Sequence, residues 1–178
     1  MAMADPKPRL PLPSETLCSL ASNAPVLGER LRVYLLPGQL HGSGEPAQIR
    51  TILGSCVSIC LWDQRQRRGG MNHFLLPASR EGEPASLRFA DVATKALLEK
   101  LHLLGSRPQS LEARIFGGSS MFQNENRYAI SLGARNVAAA LELMKNAGIP
   151  VGVRDTGGSQ GRKIVFNTDD GMVWSQRI

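Results

Sequence analysis

The run IRTILGSCVSICLWD at residues 49–63 is β-branched and apolar, and it is broken by Gly54 and Ser55. The spacing predicts a strand at 49–53, a tight Gly-Ser turn or bulge, and a second strand at about 56–62. The polar stretch DQRQRRGG follows, and then GMNHFLLP, a further strand stopped by Pro77. Strands 56–62 and 70–76 are therefore expected to form a β-hairpin, which brings whatever chemistry they carry into one neighbourhood.

The remaining chain adds strands and two helices. Residues 1–28 are Pro-rich and polar, a flexible extension by expectation, which leaves 29–178 as one domain. RLRVYLLPG is strand-like up to Pro37 and Gly38, and QLHGSGEPAQ reads as a loop that exposes His41. In FADVATKALLEKLHLLG, Ala93, Leu97, Leu101 and Leu104 form one helical stripe. Asp91 is placed to cap that helix and Gly105 to end it, while His102 shares the opposite, solvated stripe with Lys95 and Glu99. LEARIF alternates as a half-buried strand leading into GGSSMF. A second helix spans about 134–147, with Val137, Leu141 and Met144 on one face and Gly148 and Pro150 at its end. PVGVRD and KIVFNT follow as strands, and the last of these pairs with MVWSQR across the DDG turn. Many strands with two long helices predict an α+β layered sandwich with mixed and antiparallel sheets.

Composition narrows the function classes. With 178 residues, 42% hydrophobic and 20% charged, the chain can bury a real core. No apolar run approaches the ~20 residues that span a bilayer, and MAMADPKPRLPLPSETL lacks the features of a secretory signal. Membrane insertion is not expected. Three cysteines and three scattered histidines fit neither a disulfide framework nor a metal site, so reduced thiols in the cytoplasm are expected. The net charge of 21 − 15 = +6 suits nucleic acid or an acidic protein partner. The densest basic cluster, RQRRGG, is short and carries no interleaved aromatics, so a solvated turn is preferred to a nucleic-acid patch.

Two thiols and an imidazole remain to be explained. Cys56 opens its strand just past a sharp turn, where a side chain can be accessible and the N–H groups around Gly54 and Ser55 can serve an oxyanion. Cys60 lies inside VSICLW, where a small apolar thiol packs well. His73 follows Cys56 by 73 − 56 = 17 residues, on the partner strand. A nucleophile and its base, or two residues on apolar strands by coincidence, are both open at this point, because a one-residue slip of register would put them on opposite faces. Thr51 could accept a hydrogen bond from the second imidazole nitrogen. The glycine pairs Gly69–Gly70, Gly117–Gly118 and Gly157–Gly158 stand at strand ends or turns, as site rim or as plain corners. Ser119 and Ser120 would offer exposed hydroxyls beside them.

TILGSCVSICLWD and GGMNHFLLP resemble the signature of the CheD family of chemoreceptor glutamine deamidases of bacterial chemotaxis. FADVATKALLEKL, LEARIFGGSSMF, LGARNVAAALELM and VRDTGGSQGRKIVFNTDDGMVW resemble the same family in the same order, covering roughly residues 30–176. The resemblance implies an α/β sandwich with strands enclosed by helices, like that of toxin deamidases. It also implies a cytoplasmic Cys–His–Thr amidohydrolase without a cofactor, with Cys56, His73 and Thr51 in those roles. Its substrate would be glutamine side chains of methyl-accepting chemotaxis receptors. The alternative is a mainly regulatory partner of a CheC-type phosphatase, and from the residues alone a general thiol hydrolase of small amides.

Overall fold

A computed structural model describes residues 30–120 and 130–178. The expected extension at 1–28 and the last two residues of GGSSMF lie outside the described residues. In chain order come β1 (Leu31–Tyr34), β2 (Gln39–Ser43), β3 (Ala47–Leu53), β4 (Val57–Asp63) and β5 (Arg68–His73). Then follow α1 (Ala90–Leu103), β6 (Leu111–Gly117), α2 (Leu132–Asn146), β7 (Val151–Thr156), β8 (Arg162–Asn167) and β9 (Val173–Arg177).

The strands form two sheets, one of four in the order β1-β3-β8-β9 and one of five in the order β2-β5-β4-β6-β7. β1 with β3 and β6 with β7 run parallel, and the other pairs are antiparallel. The β4–β5 and β8–β9 hairpins form as the sequence predicts.

Strand alternation builds two cores on the five-stranded sheet. Val57, Ile59 and Leu61 of β4 pack with Ala93, Leu97 and Leu101 of α1 and with Ala140 and Met144 of α2. On the other face Cys60 and Met71 pack with Ile49, Leu53, Ile164 and Phe166 of the four-stranded sheet. The layers thus run helix, sheet, sheet. The α+β sandwich stands, but the helices cover one face of one sheet instead of enclosing the strands. Among the described residues no helix is long and apolar enough to cross a membrane.

Several local expectations are corrected by tertiary pairing. QLHGSGEPAQ is no loop: β2 pairs with β5 from Gln39↔His73 to Ser43↔Gly69, and His41 is half-buried in it. Gly69 and Gly70 lie within β5 because neighbours crowd them there. A Cβ at Gly70 would sit 2.7 Å from both the His41 carbonyl and a Leu97 methyl. Strand β5 ends at His73, with Phe74 held by one bridge to Val57. Asp91 caps nothing; Phe89 stands at the N-cap, and Asp91 accepts from the Ser79 hydroxyl at 2.8 Å. The buried stripe of α2 is Gly133, Asn136, Ala140 and Met144, with Val137 and Leu141 on its flanks.

Leu97 is fully buried where α1 meets β5. Leu97→Ala is expected to cost about 2–5 kcal/mol, measured as a lower urea midpoint with an unchanged slope.

Candidate active site

The hairpin register resolves the relation of Cys56 to His73. Val57 bridges Phe74 and Cys60 pairs with Met71, and both sums equal 131, so the register is continuous and Ser58 stands opposite His73. Cys56, two positions before Ser58, is then diagonal to His73 on the same face. That face looks into the layer between the sheets, and Cys56 packs there as a partly buried member of the second core. Across part of this stretch the Asn72 side chain stands in the ladder, accepting from Ile59 N–H at 2.9 Å.

Thr51 enters the same layer from the opposite sheet. It is buried on β3, and its Oγ1 lies 2.8 Å from His73 Nδ1 and 2.8 Å from the Leu35 carbonyl oxygen. A hydroxyl has one proton, and a carbonyl can only accept. Thr51 therefore donates to Leu35 and accepts from His73, so the imidazole proton sits on Nδ1. Nε2 is left as a bare lone pair, buried and with no hydrogen-bond partner among the described residues. The Gly38 N–H holds the main chain of His73 at 2.7 Å.

Burial keeps the pair uncharged. Desolvation pushes the His73 pKa down to about 4 from the ordinary 6.5, against a smaller upward pull from the Leu35 carbonyl. Desolvation likewise raises the Cys56 thiol, opposed in part by its own main-chain N–H. The resting state is therefore thiol and neutral imidazole, not an ion pair. Cys60 is fully buried and its thiol is pushed far higher, which suits the core role expected of it.

The segment from Gly54 to Cys56 is the crossing from one sheet to the other. Each of its three carbonyls is held: Gly54 by Ser119 N–H at 2.9 Å, Ser55 by Asn136 Nδ2 at 2.9 Å, and Cys56 by Gly118 N–H at 2.7 Å. Among the described residues the N–H groups of Ser55 and Cys56 donate to no main-chain or side-chain oxygen. Gly117 must be glycine here: its φ is +103°, and a Cβ would fall 2.3 Å from the Cys56 oxygen.

The expected rim residues divide into two groups. Gly118, Gly157 and Gly158 line a groove of about 430 Å³ with Ala134, Val137 and Leu141 of α2. Gly117 and Ser119 are buried behind the crossing, so Ser119 is not the exposed hydroxyl expected of it. The Gly157 corner is tied in through its N–H to the Gly117 carbonyl at 2.9 Å, and through Arg162 Nη2 to its own carbonyl at 2.7 Å. Asn136 escaped the sequence reading. Its signal was a polar residue of modest helix propensity amid Gly133, Ala140 and Met144 on one stripe.

The titration of His73 links to stability with a definite sign. The unfolded chain takes up the proton near the ordinary 6.5 and the folded chain near 4, so stability is intact above the first value and is lost as pH falls through the second. Thermal melts of the wild type should show that acid loss, and His73→Asn should flatten it. Long-range proton–nitrogen NMR at neutral pH should find the Nδ1-protonated tautomer.

Comparison with known proteins adds lineage to geometry. The family model described as CheD chemotactic sensory transduction matches residues 75–177. A protein of Anaeromyxobacter dehalogenans named probable chemoreceptor glutamine deamidase CheD 1 is 47% identical over 158 residues, 89% of this chain and 91% of its own. Proteins named probable chemoreceptor glutamine deamidase CheD are 40% identical in Trichlorobacter lovleyi, over 82% of this chain and 91% of theirs, and 41% identical in Methanococcus vannielii, over 76% and 88%. The segment matched by the family model starts two residues after His73, so the three candidate residues precede it.

Proposed function

This chain belongs to the CheD family, and from that membership we propose that it deamidates glutamine side chains of chemoreceptors, with Cys56 as nucleophile, His73 as general base and Thr51 as the group that orients the imidazole. The observation that carries the residue assignment is the Thr51–His73 hydrogen bond. It leaves Nε2 as an unprotonated base in the layer against which Cys56 packs.

The reaction proceeds from the neutral pair. As Cys56 Sγ attacks the carboxamide carbon, its proton passes to His73 Nε2, which generates the thiolate only in the step that uses it. Negative charge grows on the carboxamide oxygen, within reach of the N–H groups of Ser55 and Cys56. The imidazolium then protonates the departing nitrogen, which leaves as ammonia, since an amide anion is too basic to depart unaided. A thioester remains. Water gives a proton to Nε2 and attacks the same carbon, and collapse returns that proton to sulfur as glutamate is released. The sum is carboxamide plus water to carboxylic acid plus ammonia, so the chemistry needs no further reagent.

A receptor presents its glutamines on a folded surface, and the groove beside the glycine corners suits a protein chain better than a small amide. The net charge of +6 favours approach to acidic receptor surfaces. The site of action is the cytoplasm, where the thiols stay reduced. A role confined to docking on a CheC-type phosphatase would not require an imidazole held in one tautomer in a dry layer.

A purified receptor cytoplasmic fragment incubated with the wild-type chain should gain the glutamine-to-glutamate mass change and release ammonia. Cys56→Ala should do neither. Gain in both would mean that another group is the nucleophile, and gain in neither would favour the docking role. For the free enzyme, kcat/KM should hold as pH falls past the ordinary histidine range and decline only toward about 4, where His73 is protonated.

A further inference from the structure

Asn136 lies on the buried stripe of α2 and is excluded from solvent. Its amide nitrogen donates to two main-chain carbonyls, Ser55 O at 2.9 Å and Leu75 O at 2.8 Å. Both neighbours can only accept, so the NH₂ group must face them. No other side chain among the described residues is bonded to both segments.

The position of Ser55 O has a consequence one atom away. A trans peptide is planar, with its C=O and N–H pointing in opposite directions, and no described peptide bond is cis. Drawing Ser55 O toward α2 turns the Cys56 N–H away from the helix layer. Ser119 N–H fixes the preceding peptide by holding Gly54 O at 2.9 Å. Away from the helices lies the layer between the sheets, where Cys56 packs. A hydrogen bond to a carbonyl also polarises its peptide and strengthens the N–H as a donor. At Leu75 the same amide grips the main chain two residues beyond His73.

We propose that Asn136 is a positioning residue for the acyl-transfer step: it fixes the Ser55–Cys56 peptide so that the Cys56 N–H meets the oxyanion of the tetrahedral intermediate, and it ties that peptide to the segment that carries His73. The proposal rests on the deamidase reading. Asn136 touches neither thiol nor imidazole, so its effect falls on the developing oxygen charge and not on the nucleophilicity of sulfur.

The test compares two reactions of the same thiol in the full chain. Deamidation of a receptor fragment passes through an oxyanion, whereas alkylation of Cys56 by iodoacetamide displaces iodide at carbon and forms none. Asn136→Ala is expected to lower kcat by about 10- to 100-fold, short of or equal to the loss of a whole oxyanion donor, with KM changed less than about two-fold. The alkylation rate and its pH profile should match the wild type. Asn136→Leu, which keeps a similar volume and buries no charge against the two carbonyls, supplies the reading if the alanine variant fails to fold in a thermal melt. A folded variant with wild-type kcat would overturn the proposal. So would alkylation that falls in step with kcat, because Asn136 would then serve only the thiol's general surroundings. Absence of deamidation by the wild type itself, with Cys56 still alkylated, would instead remove the deamidase reading and this inference with it.

Discussion

One hydrogen bond between two sheets organises this protein: Thr51 Oγ1 to His73 Nδ1, made in a layer from which water is excluded. It depends on pieces far apart in the chain. The segment after β1 supplies the Leu35 carbonyl that takes the threonine proton, and Leu35 N–H is itself held by the Arg50 carbonyl at 2.8 Å. β3 supplies the hydroxyl and β5 the imidazole. Because the carbonyl can only accept, the direction of every proton in this chain of bonds is set. The same dryness that strengthens the bond disfavours a charged imidazole. The result is an imidazole kept unprotonated at neutral pH, diagonal across the hairpin from a thiol kept protonated.

A thiol held in that state is a poor nucleophile by itself. On the proposed mechanism its reactivity appears only when a carboxamide is in place and the proton can move to Nε2. Burial of the pair then favours the chemistry, since no imidazolium competes with it until the pH falls far below the ordinary histidine range.

The crossing from Gly54 to Cys56 is the second constraint. A chain that leaves one sheet and enters another has no ladder partner for the peptides in between, and buried carbonyls cannot be left without donors. Here two main-chain N–H groups from the Gly117–Ser119 corner and one side-chain amide from α2 answer the three carbonyls in turn. Glycine at 117 is required by close approach to the Cys56 oxygen, not by loop flexibility. The helix layer therefore does more than cover the sheet: through Asn136 it holds the strand that carries the thiol and the segment that follows the imidazole.

Much of this was legible in the linear chain. Periodicity and breakers located ten of the eleven labelled elements, the two hairpins and the exposed face of α1, because they report local backbone preference and which side is buried. The setting of Cys56 after Gly54–Ser55, the core placement of Cys60 and the appearance of His73 on the partner strand were also readable, as was the family resemblance. What could not be read was what each buried face lies against. QLHGSGEPAQ looked like a loop until β5 offered it a partner with two glycines in the contact. Gly54–Ser55 looked like a tight turn or bulge and is the passage between two sheets. Thr51 could be named from the sequence, but its bond to His73 exists because β3 faces β5 across the sandwich. Asn136 becomes meaningful only when α2 lies over the crossing. The sequence by itself determined the residue types, their alternation and the hairpin that carries Cys56 and His73 on adjacent strands. The tertiary structure alone decided the proton's place on the imidazole and the anchoring of the Ser55–Cys56 peptide, because both depend on contacts between segments that local propensity does not encode.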